Sequence, residues 1–242
     1  MNIEGKNAVL EALKNKVGID TLFVWKDSKD AGIKKLIAMA KDTDCVIKYV
    51  DKQSLDRLSE LKNHQGVIAQ SAEYGYADLQ QVLSEIEKSG KPGMLLILDE
   101  IEDPHNLGAL IRSAECAGAD AVIIPKRRAA AVNTTVVKTS AGAVNYMKVA
   151  RVTNLAQTME ELKKHNYWIY GLDMEGQVYH QVQMSGNIAL VVGNEGRGLG
   201  RLVKEKCDFI LSIPMKGEIN SLNASVAGSV VMFEASKQRE RS

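Results

Sequence analysis

Three short segments of this 242-residue chain combine residue types that could hold a ligand and act on it. The first is Asp103-Pro104-His105-Asn106-Leu107-Gly108, a turn leading into a helix that carries Arg112. Asn106 and Arg112 are six residues apart, which sets them on neighbouring helix faces about 9 Å apart along the axis. Taken alone, such a pair is ordinarily a helix cap and a solvated charge. The second segment, Gly193-Asn194-Glu195-Gly196-Arg197-Gly198-Leu199-Gly200, holds four glycines in eight residues. Backbone that rich in glycine turns sharply or lies against a ligand. Its spacing is neither the dinucleotide fingerprint nor a Walker A motif, and it also carries the charged pair Glu195 and Arg197. The third is Ile213-Pro214-Met215 followed by Asn220-Ser221-Leu222-Asn223-Ala224-Ser225. Here Ser221 is a natural N-cap, and the start of the helix offers free N–H groups to a ligand.

Each segment follows an apolar run, and ligands of open parallel sheets bind outside the carboxyl ends of the strands. Buried strands are expected at Met94–Asp99, Ala121–Ile124, Tyr167–Leu172, Ile188–Gly193 and Phe209–Ile213. Helices are expected near Asn106–Ala117, Asn154–Lys164, Leu199–Lys206 and Leu222–Lys237, with Lys237–Ser242 as a frayed charged tail. That alternation is the pattern of an α/β domain whose largely parallel sheet is covered on both faces. The first 70 or so residues form a smaller alternating unit. Its helical stripes are Ala8–Leu13, Ile33–Ala40 and Leu55/Leu58/Leu61, and its strands are Thr21–Trp25, Val46–Val50 and Gly66–Ala69. Between the units the composition shifts, with a polar helix over 77–88 closed by Ser89-Gly90-Lys91-Pro92-Gly93. The expected organisation is therefore residues 1–72, a linker over 73–93, and a domain over 94–242.

Thirty-one Lys and Arg against 30 Asp and Glu leave a net charge of +1, so no global field draws a polyanion. One stretch departs from that balance. From Ala121 to Met159 there is no acid, yet there are Lys126, Arg127, Arg128, Lys138, Lys148 and Arg151. A solvated face is the usual explanation of a charge run, but beside candidate ligand loops it points to phosphate contact, with RNA-binding expected of the first five. Three separated cysteines and four scattered histidines make neither a disulfide framework nor a metal site. Apolar runs of about five residues fall well short of the roughly 20 that span a bilayer. A soluble cytoplasmic protein is expected.

Together, and in this order, the segments resemble the SpoU (TrmH-like) branch of the SPOUT superfamily, RNA ribose 2′-O-methyltransferases. Asn106-x-Gly108-x-x-x-Arg112 is similar to the family's first motif, and Leu190–Gly198 to its second. Ile213-Pro214-Met215 with Ser221–Ala227 resembles the third. At the other end, Gly5–Leu13 and His64-Gln65-Gly66-Val67 resemble the ribosomal-protein-L30e-like extension of bacterial 23S ribosomal RNA guanosine 2′-O-methyltransferases, the RlmB type.

The resemblance implies a C-terminal trefoil knot, a homodimer with sites near the interface, and S-adenosylmethionine as methyl donor with no metal. It implies donor contacts at Gly193, Ile213, Leu222, Ser140, Met215 and Ala224, with Thr139–Ala143 close to the substrate. Arg112 would activate the ribose hydroxyl. A guanidinium is a poor proton acceptor, so the expected role is to bind phosphate and stabilise developing alkoxide charge. Asn106, Ser221 and Asn223 would orient ribose and donor, Glu195 would hold the glycine loop or pair with Arg112, and His105 would position or contact RNA. The expected activity is methylation of a guanosine ribose in 23S ribosomal RNA. A transfer-RNA ribose methyltransferase and a non-catalytic RNA-binding or ribosome-assembly protein are the alternatives.

Overall fold

The computed structural model describes residues 2–14, 19–43, 45–59, 62–71 and 74–240. The chain divides into two compact units, Met1–Gly75 and Tyr76–Ser242. In the first, the order is β1 (Asn2–Glu4), α1 (Lys6–Lys14), β2 (Ile19–Trp25), α2 (Ala31–Lys41), β3 (Val46–Val50), α3 (Lys52–Leu58) and β4 (Val67–Ser71). The sheet order is β1-β4-β2-β3, with β4 antiparallel to both neighbours and β2 parallel to β3. Asp30 and Asp51 start α2 and α3 by accepting from backbone N–H groups of the first turn. Val9, Leu13, Leu22, Val24, Ile33 and Leu36 fill the core. Strand β1 is not expected from its charge-flanked sequence; it forms because β4 offers Ile68–Gln70 as a ladder. Leu61, expected on the third helix, lies outside the described residues, as does Glu73 of the expected linker.

The second unit runs α4 (Leu79–Ser89), β5 (Met94–Leu98), α5 (Pro104–Cys116), β6 (Ala121–Pro125), α6 (Thr134–Thr139), β7 (Lys148–Val152), α7 (Leu155–Lys164), β8 (Trp168–Val178), β9 (Ile188–Val192), α8 (Arg201–Lys206), β10 (Phe209–Ser212) and α9 (Ala224–Arg239). Its six strands, ordered β10-β8-β9-β5-β6-β7, are all parallel. Residues of β5 and β9 are buried throughout, as central strands covered on both faces must be. On one face Leu95, Ile97, Ile123, Ile169 and Val191 pack against α4, α7 and α8. On the other, α9 approaches α5 and β9 so closely that a Cβ at Gly228 would stand 2.7 Å from Leu110 and 3.0 Å from Val192.

The expected linker is revised from residue 76 onward. Ala77 bridges to Ala150, and Val82, Leu83 and Ile86 of α4 sit in the second unit's core. The helix is polar in composition but carries a narrow apolar stripe, which is enough to bury one face. The frayed tail is revised too: α9 continues to Arg239, whose guanidinium donates to the carbonyls of Pro92 and Gly186. Strand β7 and helix α6 have no counterpart in the sequence expectations.

Candidate active site

At the carboxyl ends of β8, β9 and β10 lies a cavity of about 230 Å³. Leu172, Leu211, Ile213, Met215, Leu222, Ala224 and Ala227 give it apolar walls, and the Gly193–Gly198 loop gives it a backbone floor. That loop folds back on itself. The Asn194 N–H donates to the Gly198 carbonyl at 3.0 Å, and the Gly198 N–H donates to the Asn194 carbonyl at 2.8 Å. The fold-back leaves no room at Gly193, where a Cβ would stand 2.7 Å from the Leu199 nitrogen and closer still to the Gly198 carbonyl. Asn194 ties the turn to the β5 end by donating to the Glu100 carbonyl at 3.0 Å and accepting from the Gly196 N–H at 2.9 Å.

Asp99, buried at the end of β5, accepts from the Gly200 N–H at 2.7 Å and so fixes the far end of the loop. Burial pushes its carboxyl above the usual range, with the neighbouring Glu100 adding to the rise and the Gly200 N–H opposing it.

The three sequence segments meet at Glu195. Its Oε1 accepts from the Asn106 side-chain amide at 2.9 Å, from the Asn223 amide, and from the Ala224 N–H at 3.3 Å. Asn223 also donates to Asn106 Oδ1 at 2.9 Å. A carboxylate here faces the N-terminus of α9, where the exposed N–H groups favour negative charge. Asn223 itself caps that helix, accepting from the Ser225 and Val226 N–H groups, so the cap is Asn223 and not Ser221. The cap of α5 is likewise Asp103, leaving Asn106 inside the helix with its amide free to reach Glu195.

Of the expected site residues, Gly193, Glu195, Ile213, Met215, Ser221, Leu222 and Ala224 line the cavity, and Asn106 and Asn223 join it through Glu195. Arg112 does not line it. Its side chain is exposed on α5, with no hydrogen bond or ion pair among the described residues. The expected Glu195–Arg112 pairing is therefore replaced by the bonds to the two asparagines. Arg197 faces Glu100 at 3.9 Å instead of Glu195.

Ser140 is fully buried, its hydroxyl donating to the Val137 carbonyl at 3.1 Å, and it does not line the cavity. It packs under Gly108, where a Cβ would meet Ser140 N at 3.0 Å and Thr139 Cβ at 2.8 Å. The first motif's glycine thus serves the contact of α5 with α6.

Among the basic residues, Lys126, Arg127 and Lys138 are exposed and have no ion pair among the described residues. Arg128 pairs with Glu100 at 3.0 Å, and Lys148 pairs with Glu85 of α4. The acid-free stretch in sequence is not acid-free in space.

Sequence reasoning missed Asp173 and Met174. Strand β8 is expected to end at Leu172, but its ladder with β10 jumps from Gly171–Ile210 to Gln177–Leu211. The intervening residues bulge, and Asp173 and Met174 become part of the cavity wall. Among the described residues no cluster of three or more His, Cys, Asp or Glu is arranged to hold a metal, and no helix is long and apolar enough to cross a membrane.

Both units match known protein families. Residues 93–233 match the SpoU rRNA methylase family, and residues 2–77 match the RNA 2′-O ribose methyltransferase substrate-binding family. The chain is 45% identical over 237 residues to YacO of Bacillus subtilis, covering 97% of this chain and 94% of that protein, whose name places it among TrmH family tRNA/rRNA methyltransferases. A protein of Staphylococcus saprophyticus named for the same family is 43% identical, with 98% and 95% covered. Among solved structures, the SpoU methyltransferase AviRb from Streptomyces viridochromogenes, in complex with AdoMet, has the same fold. It aligns with a TM-score of 0.66 at 22% identity, over 98% of this chain and 89% of that one. A structure described as an RNA 2′-O ribose methyltransferase aligns with a TM-score of 0.60 at 25% identity, over 98% and 88%.

Proposed function

The chain belongs to the SpoU rRNA methylase family, and from that membership we propose that it methylates the 2′-hydroxyl of a guanosine ribose in 23S ribosomal RNA, with S-adenosylmethionine as donor. The observation that carries the reading is the convergence of Asn106, Asn223 and the Ala224 N–H on one oxygen of Glu195 at the cavity edge. Three segments remote in sequence are locked together where a ligand would bind. The cavity suits the donor in its chemistry: apolar walls and glycine backbone for a planar base, and the carboxylates of Asp173 and Glu195 for a positive charge.

Bound there, the donor supplies an electrophilic methyl group on a sulfonium. The protein's part is alignment, worth about 7–11 kcal/mol of barrier when two reactants are held in reacting geometry. Glu195 holds the glycine loop against α5 and α9, and Asn106 and Asn223 fix its carboxylate. Ser221 and Leu222 close the wall beside the substrate side. Gly193, Ile213, Met215 and Ala224 form the donor's surroundings, whereas Ser140 acts at one remove by packing under α5.

In this reading Arg112, exposed on α5 and outside the cavity lining, acts in an assembly of two chains. Val226 and Phe233, seven residues apart on α9 and both about half exposed, share one helix face. This apolar surface supports a homodimer in which a second copy covers α9 and brings the unpaired Arg112 guanidinium beside a cavity. There it would bind phosphate and stabilise charge developing on the ribose oxygen. Lys126, Arg127 and Lys138 would add phosphate contacts, and the threading of the chain near Gly193 and Ile213 into a trefoil knot belongs to the same reading. The expected site of action is the cytoplasm.

The test is methyl transfer from labelled donor to 23S ribosomal RNA and to transfer RNA separately, with mass-spectrometric mapping of the product. The expected result is one methylated guanosine ribose in 23S RNA. Methylation confined to transfer RNA would replace the substrate, and absence of donor binding in calorimetry would favour a non-catalytic RNA-binding protein.

A further inference from the structure

The charged side chains lining the cavity, among the described residues, are Asp173, Glu195 and Arg197. They are not equivalent. Arg197 is 83% exposed and directed toward Glu100, and Glu195 spends one oxygen on three neutral N–H donors. Asp173 sits on the β8 bulge, its side chain only 17% exposed, with Oδ2 held at 2.9 Å by the Lys204 ammonium of α8 and Oδ1 accepting from the Glu175 N–H at 3.2 Å. Burial alone would raise its proton affinity, but the Lys204 bond and the N–H groups of Glu175 and Met174 outweigh it, so the carboxyl stays below its ordinary range and ionised.

We propose that Asp173 is a specificity-determining residue whose charge, graded by Lys204, makes the cavity prefer a sulfonium donor over its thioether product. This rests on the donor assignment made above. The two ligands share the adenosine and amino-acid parts and differ by one methyl and one positive charge. A fixed negative wall therefore acts on the difference between them. That preference has a use: after methyl transfer the ligand has lost its positive charge, and the wall that helped to hold the donor no longer holds the product. The bulge matters because it carries Asp173 out of the ladder and into the wall. The shielded setting matters because a charge pair some 7 Å apart changes affinity only about threefold in bulk water but about fiftyfold at an effective dielectric near 20.

The tether between Asp173 and Lys204 offers an internal control. Asp173→Asn and Lys204→Met both break it, so a purely structural role predicts that both variants weaken donor and product together. An electrostatic role predicts opposite signs. Calorimetric titration of the full-length protein with S-adenosylmethionine and with S-adenosylhomocysteine reads this directly, without turnover. For Asp173→Asn the ratio of donor to product affinity is expected to fall about tenfold, and for Lys204→Met to rise about threefold or more. Ratios that stay at the wild-type value, or move in the same direction in both variants, would overturn the proposal while leaving the donor assignment standing. Wild-type protein that binds neither ligand would overturn the donor assignment and this inference with it.

Discussion

The two ends of the six-stranded parallel sheet are made from the same strands and do opposite things. At the amino ends, side chains satisfy the strands themselves. Asp120 accepts from the Met94 N–H at 2.8 Å, Asp208 from the Ile169 N–H at 2.9 Å, and Asn187 from the Gly93 N–H at 2.7 Å. At the carboxyl ends the polar side chains satisfy loops instead: Asp99 holds Gly200, Asn194 holds its own turn, and Glu195 holds the start of α9. Stapling strands leaves little to arrange around a ligand; stapling loops holds their backbone around a cavity. The amino end has a hollow too, beside Ile86, Pro92 and Tyr167, but its notable polar group is the Tyr167 hydroxyl, buried without a hydrogen-bond partner among the described residues. Burial pushes that phenol up to about 12, with Asp120 adding to the rise. The difference lies in what the loops bring, not in the presence of a hollow.

The strongest way to break this contrast is at Gly193. Gly193→Ala forces the fold-back open, and a shift of about 1 Å in a positioning loop can cost about a hundredfold in rate. Methyl-transfer rate and donor affinity should both collapse while the far-ultraviolet circular dichroism stays native. Intact donor affinity would show that the loop's shape is not what holds the cavity.

Asp99 comes next. Asp99→Ala leaves the Gly200 N–H without its acceptor and should cost about 1–3 kcal/mol in urea unfolding. Asp99→Asn keeps an acceptor and removes the titration. Because the folded carboxyl sits above its ordinary value, the folded state holds this proton to higher pH than the unfolded state. The contribution to stability is present at low pH and declines as pH rises through the carboxylate range. Relative to wild type, Asp99→Asn should therefore gain stability between about pH 4 and the folded value, and a flat difference would contradict the burial argument.

The smallest effect belongs to the amino end. Tyr167→Phe removes a hydroxyl that has no partner among the described residues and should raise stability by up to about 1 kcal/mol with no change in methyl transfer. A loss of transfer activity would mean that the two ends are coupled and the contrast is false.

How much of this was legible in the sequence follows from what each element depends on. Strands β5 and β9 announce themselves as continuous apolar runs because burial on both faces leaves no room for alternation. Edge strand β7 does not, since Lys148 and Arg151 flank Val149 and Ala150 and leave an apolar run of only two residues. Helix α4 is expected from the sequence, but its polar majority assigns it to a linker, although Val82, Leu83 and Ile86 suffice to seat it in the second unit's core. The site segments were found by their residue types and by resemblance, but spacing could not show that Asn106 and Asn223, 117 residues apart, exchange a hydrogen bond. The β8 bulge was out of reach altogether. It is a mismatch in strand pairing, and pairing is a property of two segments, so Asp173 looks like an ordinary loop acid until β10 is laid beside it.

The knot of hydrogen bonds at a single carboxylate oxygen has a consequence for assembly. Its donors lie 89 residues upstream and 28 and 29 residues downstream of Glu195. Closing such distant contacts costs chain entropy that no local element can offset, so the carboxylate finds its partners only when the surrounding domain has already condensed. A fragment lacking any one of the three segments would not keep a diluted version of this centre; it would keep none.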